Sequence, residues 1–399
     1  MTQYFDDLET RSEDQRTGDL ANALPEQIKA AQALSGNSRL DGIDASSIGT
    51  MSDLAKLPVL RKSELMDMQT KEYLGGLVTD RPRQVFQSPG PIYEPGFKTQ
   101  DWWGFGRFLH ALGIGAEDIV QNCFAYHFTP AGMMFENGAE AVGASVFPAG
   151  TGQTELQARA AAEIGVTAYA GTPDYLKAIL EAGDAAGLDL TRVKAAAVSG
   201  GPLFPQLRDY YTDRGITCRQ CYATADLGHI AYESEAMEGM IVDEKVIVEI
   251  VRPGTGDPVP EGEVGEVVVT TLKPEYPLIR FATGDLSAVL PGNSPCGRTN
   301  TRIVGWRGRA DQATKVKGMF VRPEQVADFV ARHESVQKCR VEVSHDGSSD
   351  VMVLKIETTS DQDFGESIRE VFKLRATVEK CEIGSLPNDG LVIADLRDI

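Results

Sequence analysis

The period of the apolar positions changes along the chain, and each change predicts an element. From Thr154 to Ile164 apolar and small residues recur at helical spacing, and Gly165 stands just past the last of them as a stop. Asp174 to Ala182 predicts a second helix of the same kind. Short apolar runs surround them: Ala144–Pro148, Val166–Ala170 and Lys194–Val198, each the length of a buried strand. This alternation of helix and short strand over residues 100–240 predicts a mainly parallel sheet flanked by helices. Residues up to about 80 read as helical and loop-rich, with Leu57–Leu65 a turn feeding a helix that Ser63 would cap. Gln84–Gln87 reads as a short strand, and the prolines and glycines of Ser88–Gly96 predict a loop.

Past residue 240 the pattern turns to β structure. Val246–Val251 and Gly265–Thr270 are predicted strands, separated by the turn residues Pro253–Pro258 and Pro260–Gly262. From about residue 310 a separate small α+β domain is predicted. Pro323 opens a helix that runs to His333 and carries Val326, Phe329 and Val330 on one face. Val341, Val343, Val351 and Val353 mark strands around a turn at Asp346–Gly347, and Phe364, Ile368, Val371 and Phe372 mark a second amphipathic helix. The expected architecture is therefore α/β: a large N-terminal domain over residues 1–309, with parallel or mixed sheets, flanking helices and a β subdomain, and an α+β domain over 310–399.

Composition narrows the function classes. Of 399 residues, 42% are hydrophobic and 24% charged, as in a globular enzyme. A formal charge of −19 argues against general binding to nucleic acid or anionic membranes. No run of about 20 apolar residues predicts a membrane span, and the acidic start MTQYFDDLETRSEDQ is unlike a secretory signal, so a cytoplasmic protein is expected. The six cysteines are expected as reduced thiols; Cys218 and Cys221 have the spacing of half a zinc site, and no second pair follows. The metal content is left unassigned.

Two segments carry candidate chemistry. In Gln220–Gly228 an aromatic residue, small residues and a carboxylate sit close together on an expected loop. Tyr222 can stack a planar ring and Asp226 can face a metal or phosphate, although a polar turn after a strand reads the same way. In Tyr276–Asp285 the ending Thr-Gly-Asp fixes a carboxylate suited to accept from both hydroxyls of a ribose. Gly308–Asp311 and Lys317–Gly318 follow in order, and the ordered set is more specific than any member. Ser199–Gly201 lacks the Gly-x-Ser-x-Gly frame of a serine hydrolase. The histidines show no metal spacing; His127 and His229 lie beside the segments of interest as candidate bases.

This order of motifs, with Leu57–Leu65, Gly138–Glu140, Gln153–Thr154 and Gly171–Leu176, resembles the phenylacetate-CoA ligases of the adenylate-forming superfamily over residues 50–399. The resemblance implies an aryl-CoA ligase that joins an aromatic acid to CoA through an acyl-adenylate, using ATP and releasing AMP, with Mg²⁺ as a candidate cation. It implies that Gly200 and Gly201 line the adenine, Tyr222 stacks on it, Thr224 and Asp226 meet phosphate, Asp285 holds the ribose and Arg309 reaches ribose or phosphate. Asp311 would be a hinge that brings Lys317 and Gly318 to the site, Lys317 acting there as a catalytic residue with Asp226 and His127. Tyr126, Phe128, Gly132 and Glu136 match the stretch that forms an aryl-acid pocket. The partners so implied are a small aromatic acid or its thioester and, as among similar proteins, a second copy in a homodimer.

Three departures fall on the ATP-dependent step. Ser88-Pro89-Gly90-Pro91-Ile92-Tyr93-Glu94-Pro95 replaces the Ser/Thr/Gly-rich phosphate loop, with Glu94 where a lysine stands, and a carboxylate there is expected to repel phosphate. Ala225 takes the place of a threonine before the acidic residue, and Leu391 falls about where a C-terminal lysine is expected. These leave a second reading open: a ligase-like protein without ATP activation that binds or processes a preformed acyl-CoA or acyl-adenylate as a hydrolase, transferase or sensor.

Overall fold

The computed structural model describes residues 3–89, 91–201, 203–310, 312–316, 319–345 and 350–397. The expected hinge Asp311, the pair Lys317–Gly318 and the turn at Asp346–Gly347 lie outside the described residues, as do Gly90 and Pro202. The chain divides into two compact units. One comprises residues 1–248, 269–281 and 290–305, the other 249–268, 282–289 and 306–399. The chain passes from one unit to the other inside the strands Val246–Val251, Gly265–Thr271 and Phe281–Ser287.

The first unit is built on a nine-stranded sheet. Its parallel part runs Ser145–Phe147, Ile119–Asn122, Ala168–Gly171, Ala195–Val198, Thr217–Thr224. It then turns antiparallel through Gly228–Glu233, Met240–Val242 and Arg302–Ile303. The helices Thr154–Ile164 and Pro173–Ala185 cover one part of it, burying Ala158, Ala161, Leu176, Ile179 and Leu180 with Tyr169 and Val198 in one core. Their apolar stripes are what the helical spacing predicted. The helix Glu13–Gln32 buries Leu24, Ile28 and Ala31 against Leu40, Leu54 and Leu57.

Three local expectations are corrected. Ser88–Gly96 is not all loop: Ile92–Gly96 is a strand paired with Gln84–Ser88 in a two-stranded sheet. Both strands are edges, so Pro95 sits in one without breaking a central ladder. Tyr222 lies within the strand Thr217–Thr224, at a bulge, and not on a loop; only residues 225–227 turn. Ser63 does not cap the helix Lys62–Gln69; the cap is Arg61, whose N–H donates to the Glu64 carboxylate at 2.7 Å.

In the second unit the order Thr377–Cys381, Asp350–Thr358, Val336–His345, Ile393–Asp395 forms a four-stranded sheet. The helices Pro323–Ala331 and Gly365–Phe372 pack on it through Val326, Phe329, Ile368 and Phe372. Pro323 is the first helical residue, where its missing N–H costs nothing. No helix among the described residues is long and apolar enough to cross a membrane.

Candidate active site

In a parallel sheet the carboxyl ends of neighbouring strands share one edge, and ligand sites are built there. The first unit follows this rule. Asn122 ends one strand, Ser199–Gly201 follow a second, and Tyr222 to Asp226 end a third. Ser199 Oγ donates to the Cys221 carbonyl at 3.1 Å, and Gln220 Nε2 donates to the Gly201 carbonyl at 3.2 Å. These bonds tie the Gly200–Gly201 segment to the Tyr222 strand. Thr224 does not present a bare hydroxyl: its Oγ1 accepts from Leu227 N at 3.2 Å and shapes the turn that carries Asp226.

Asp226 is buried, and its closest cation was not singled out by the sequence. Lys62 Nζ lies 3.2 Å from Asp226 Oδ2, with the lysine side chain 40% exposed. Long-range contacts bring that lysine in. The buried Arg280 guanidinium donates to the Ala55 and Leu57 carbonyls, and Leu60 N donates to the Arg280 carbonyl at 2.9 Å. At the other end of the helix, Gln69 exchanges two hydrogen bonds with the Tyr93 backbone, which clamps the Gln84–Gly96 hairpin to it. The motif position of Lys62 was visible in the sequence; its partner, far along the chain, was not.

The hairpin contributes Glu94, and its environment overturns the expectation of an anion facing phosphate. Glu94 is fully buried, Ser88 Oγ donates to its Oε1, and burial pushes its carboxyl up to about 8, with the nearby Asp226 adding to the effect and Lys62 opposing it. At neutral pH Glu94 therefore keeps its proton. Asp226 is also raised by burial, against the pull of Lys62. Tyr276, buried behind both, is raised by burial and then by the two carboxyls. Glu94 Oε2, Asp226 Oδ1 and the Tyr276 hydroxyl have no hydrogen-bond partner among the described residues. Unpaired buried polar atoms are rare in folded proteins and mark where water or a ligand belongs. No group of three His, Cys, Asp or Glu that could cage a metal occurs among the described residues. A Mg²⁺ at Asp226 would therefore need oxygens from a phosphate to complete its shell.

The expected acyl residues are only partly brought together. Asn122 Nδ2 donates to the Tyr126 hydroxyl and to the Gly132 carbonyl, both at 2.8 Å, and the nearby Glu136 adds to burial in raising the Tyr126 phenol. Gly132, on the helix Ala131–Ala141, is what lets the Tyr126 ring approach: a Cβ there would stand 2.6 Å from the Ala125 carbonyl and 2.9 Å from the ring. Phe124 stacks on Phe135 beside them, centroids 4.5 Å apart. Phe128 does not join this wall. It is 71% exposed, at φ 61°, with its carbonyl accepting from Gln87 N at 2.8 Å. The His127 side chain is exposed as well. His229 is packed out of reach, buried between Phe105, Phe108 and Tyr232 with Nδ1 3.2 Å from Asp243 Oδ2. Lys273, which the sequence reading passed over, is buried behind the Asp226 turn. Its Nζ donates to the Leu227 carbonyl at 2.8 Å and burial pulls it down to about 7. Cys218 and Cys221 are buried thiols pushed up to about 12 by desolvation, which fits packing and not metal binding.

In the second unit Asp285 lies on the strand Phe281–Ser287, and Arg309 Nη1 donates to its Oδ1 at 2.8 Å. Leu391 lines an apolar cavity of about 200 Å³ with Val326, Val330 and Cys339, an environment that suits leucine.

Residues 100–272 match the family model of AMP-binding enzymes. Curated relatives include the phenylacetate-coenzyme A ligase of Aromatoleum evansii, 28% identical over 81% of this chain and 76% of that protein. The enzyme of the same name from Thermus thermophilus is 29% identical over 80% and 75%, and that of Escherichia coli 28% over 79% and 75%. Among solved structures, 2-hydroxyisobutyryl-CoA ligase with 2-HIB-AMP and CoA in the thioesterification state covers all of this chain and 93% of that one, at TM-score 0.69 and 20% identity. The same protein in the postadenylation state gives 0.71 at 21% identity, over 97% of this chain and 91% of that one. The sequence over residues 100–272 is thus similar to the AMP-binding enzymes, and the fold is that of the CoA ligase structures just described. The curated relatives to which the chain is similar are phenylacetate-coenzyme A ligases, at 28–29% identity.

Proposed function

We propose that this enzyme forms the CoA thioester of an aromatic carboxylic acid of the phenylacetate kind, through an acyl-adenylate. In the first step a carboxylate oxygen attacks the α-phosphate of ATP and pyrophosphate leaves; in the second the CoA thiol attacks the acyl carbon and AMP leaves. The protein's part is positioning and charge neutralisation. Gly200, Gly201 and Tyr222 take the adenine, Asp285 and Arg309 the ribose side, and Lys62 with Asp226 the phosphates. Tyr126, Gly132 and Glu136 bound the acyl group. Residues 310–399, turning at Asp311, carry Lys317 and Gly318 to the second step. The observation that carries the reading is the Tyr126 hydroxyl held by Asn122 beside Phe124 stacked on Phe135, an aromatic surface.

The absence of a cation from the Gln84–Gly96 hairpin, where the buried Glu94 stands instead, favours a second reading, in which ATP activation is lost and a preformed thioester or acyl-adenylate is the substrate. Acid-dependent exchange of pyrophosphate into ATP separates the two. With phenylacetate and Mg²⁺, exchange followed by phenylacetyl-CoA on adding CoA is the expected result. Absent exchange, with turnover of supplied phenylacetyl-CoA or phenylacetyl-adenylate, would establish the second reading instead.

A further inference from the structure

Trp306 stands in an unusual position for a tryptophan. It is 58% exposed, whereas Trp102 and Trp103 are 5% and 3% exposed. Its indole N–H is nevertheless committed, donating to Asp285 Oδ1 at 3.0 Å. Arg309 donates to the same oxygen at 2.8 Å. A carboxylate oxygen has two lone pairs, so these two donors fill Oδ1. The backbone around them is fixed. Arg307 N donates to the Leu286 carbonyl at 2.8 Å, Leu286 N to the Gly308 carbonyl at 2.9 Å, and Ala310 N to the Gly284 carbonyl at 2.7 Å. Gly284, at φ 75°, leaves the room that the Arg309 guanidinium uses; a Cβ there would stand 2.7 Å from Nη2. The segment is thus zipped to its strand, while the indole itself is 58% exposed.

We propose that Trp306 is a displaceable cap on Asp285, one that must leave Oδ1 when a vicinal diol binds there. The inference rests on the reading of Asp285 as the ribose-binding carboxylate. A diol that donates both hydroxyls to one carboxylate needs both of its oxygens. Of the two donors on Oδ1, the neutral indole holds more weakly than the guanidinium, whose bond is charge-assisted, so the indole yields. Before binding, the cap keeps the carboxylate oriented; on binding, its bond is lost, and affinity for the diol is lowered by the worth of one neutral hydrogen bond. The protein thereby sets how strongly it holds a nucleoside monophosphate that it must later release.

The test is the affinity of AMP and of 2′,3′-dideoxy-AMP for the wild type, Trp306→Phe and Asp285→Asn, by calorimetry, with tryptophan emission followed in parallel. Trp306→Phe should bind AMP roughly fivefold more tightly, the equivalent of one ordinary hydrogen bond, and dideoxy-AMP unchanged. AMP should alter the emission of the wild type and not that of Trp306→Phe. If the wild type prefers AMP and Asp285→Asn removes the preference, yet Trp306→Phe binds AMP equally or more weakly, the cap is wrong and the ribose reading stands. If the wild type does not distinguish the two nucleotides, both fall.

Discussion

Two walls of the first unit each set a carboxyl beside a phenol, and they are finished differently. At the Tyr126 wall Asn122 donates to the Tyr126 hydroxyl and to the Gly132 carbonyl, so these polar groups are paired. At the hairpin wall Glu94, Asp226 and Tyr276 are buried, with Glu94 Oε2, Asp226 Oδ1 and the Tyr276 hydroxyl unpaired among the described residues and the half-exposed Lys62 beside Asp226. A satisfied wall is a fixed shape. An unsatisfied one holds its polar atoms ready for a ligand and binds protons while it waits, which is why Glu94 sits near 8. The comparison teaches that replacing a loop lysine by glutamate need not place a negative charge at the site, because burial beside a second carboxyl keeps the newcomer neutral.

The sharpest way to break this contrast is at the unsatisfied wall. Asp226→Asn removes the carboxylate beside Lys62, and should lower kcat/KM for thioester formation by about a hundredfold or more, as loss of a transition-state electrostatic contact does. It should also lower the Glu94 value from about 8, since Asp226 is one of the groups that raise it. A Glu94 titration unmoved in that variant would separate the two carboxyls and undo the coupling.

Glu94→Gln keeps the shape and removes the titration. A carboxyl whose folded value is about 8, against an ordinary 4.5, is neutral in both states at low pH. As pH rises past the lower value the unfolded chain ionises first, and the folded protein loses about 1.4 kcal/mol of stability per pH unit until the higher one is reached. Glu94→Gln should therefore be more stable than the wild type by roughly 3 kcal/mol at pH 7 and indistinguishable from it near pH 4. Urea unfolding across that range checks it; a gap that does not widen with pH contradicts it.

At the satisfied wall the expected effects are structural. Gly132→Ala puts a methyl 2.6 Å from a backbone carbonyl that cannot retreat cheaply, and should cost about 1–3 kcal/mol. It should also raise KM for the aromatic acid as Tyr126 is pushed away. Tyr126→Phe removes one hydroxyl and should cost about 1 kcal/mol, with the same cost at pH 6 and pH 9. A cost that varies with pH would show that this wall also exchanges protons.

The legibility of the molecule in its sequence follows the range of the forces involved. The helix Thr154–Ile164 and the strand Val246–Val251 have the bounds their periodicity predicts, and the helix beginning at Pro323 starts where the proline sets it. These are local patterns with one solution. The strand Ile92–Gly96 was hidden because its proline argues for a loop in isolation; only pairing with Gln84–Ser88 makes it an edge strand. Tyr222 was likewise assigned to a loop because its strand is half-buried and bulged and lacks a clean alternation. The nearness of Tyr126 and Gly132 was legible because they lie within one stretch of chain. Lys62 beside Asp226, Asn122 beneath Tyr126 and the protonated state of Glu94 were not, because each depends on what tertiary folding buries next to it.

The account turns on the charge of Glu94, so the most direct measurement is a titration of its carboxyl. With ¹³C-labelled glutamate, the wild type and Glu94→Gln can be compared by carboxyl NMR from pH 4 to pH 10. The account predicts one resonance, missing in Glu94→Gln, that titrates near 8. If the resonance lost in Glu94→Gln has already ionised at the ordinary value of 4.5, the loop carries a negative charge at neutral pH, and the neutral-acid account of this wall is wrong.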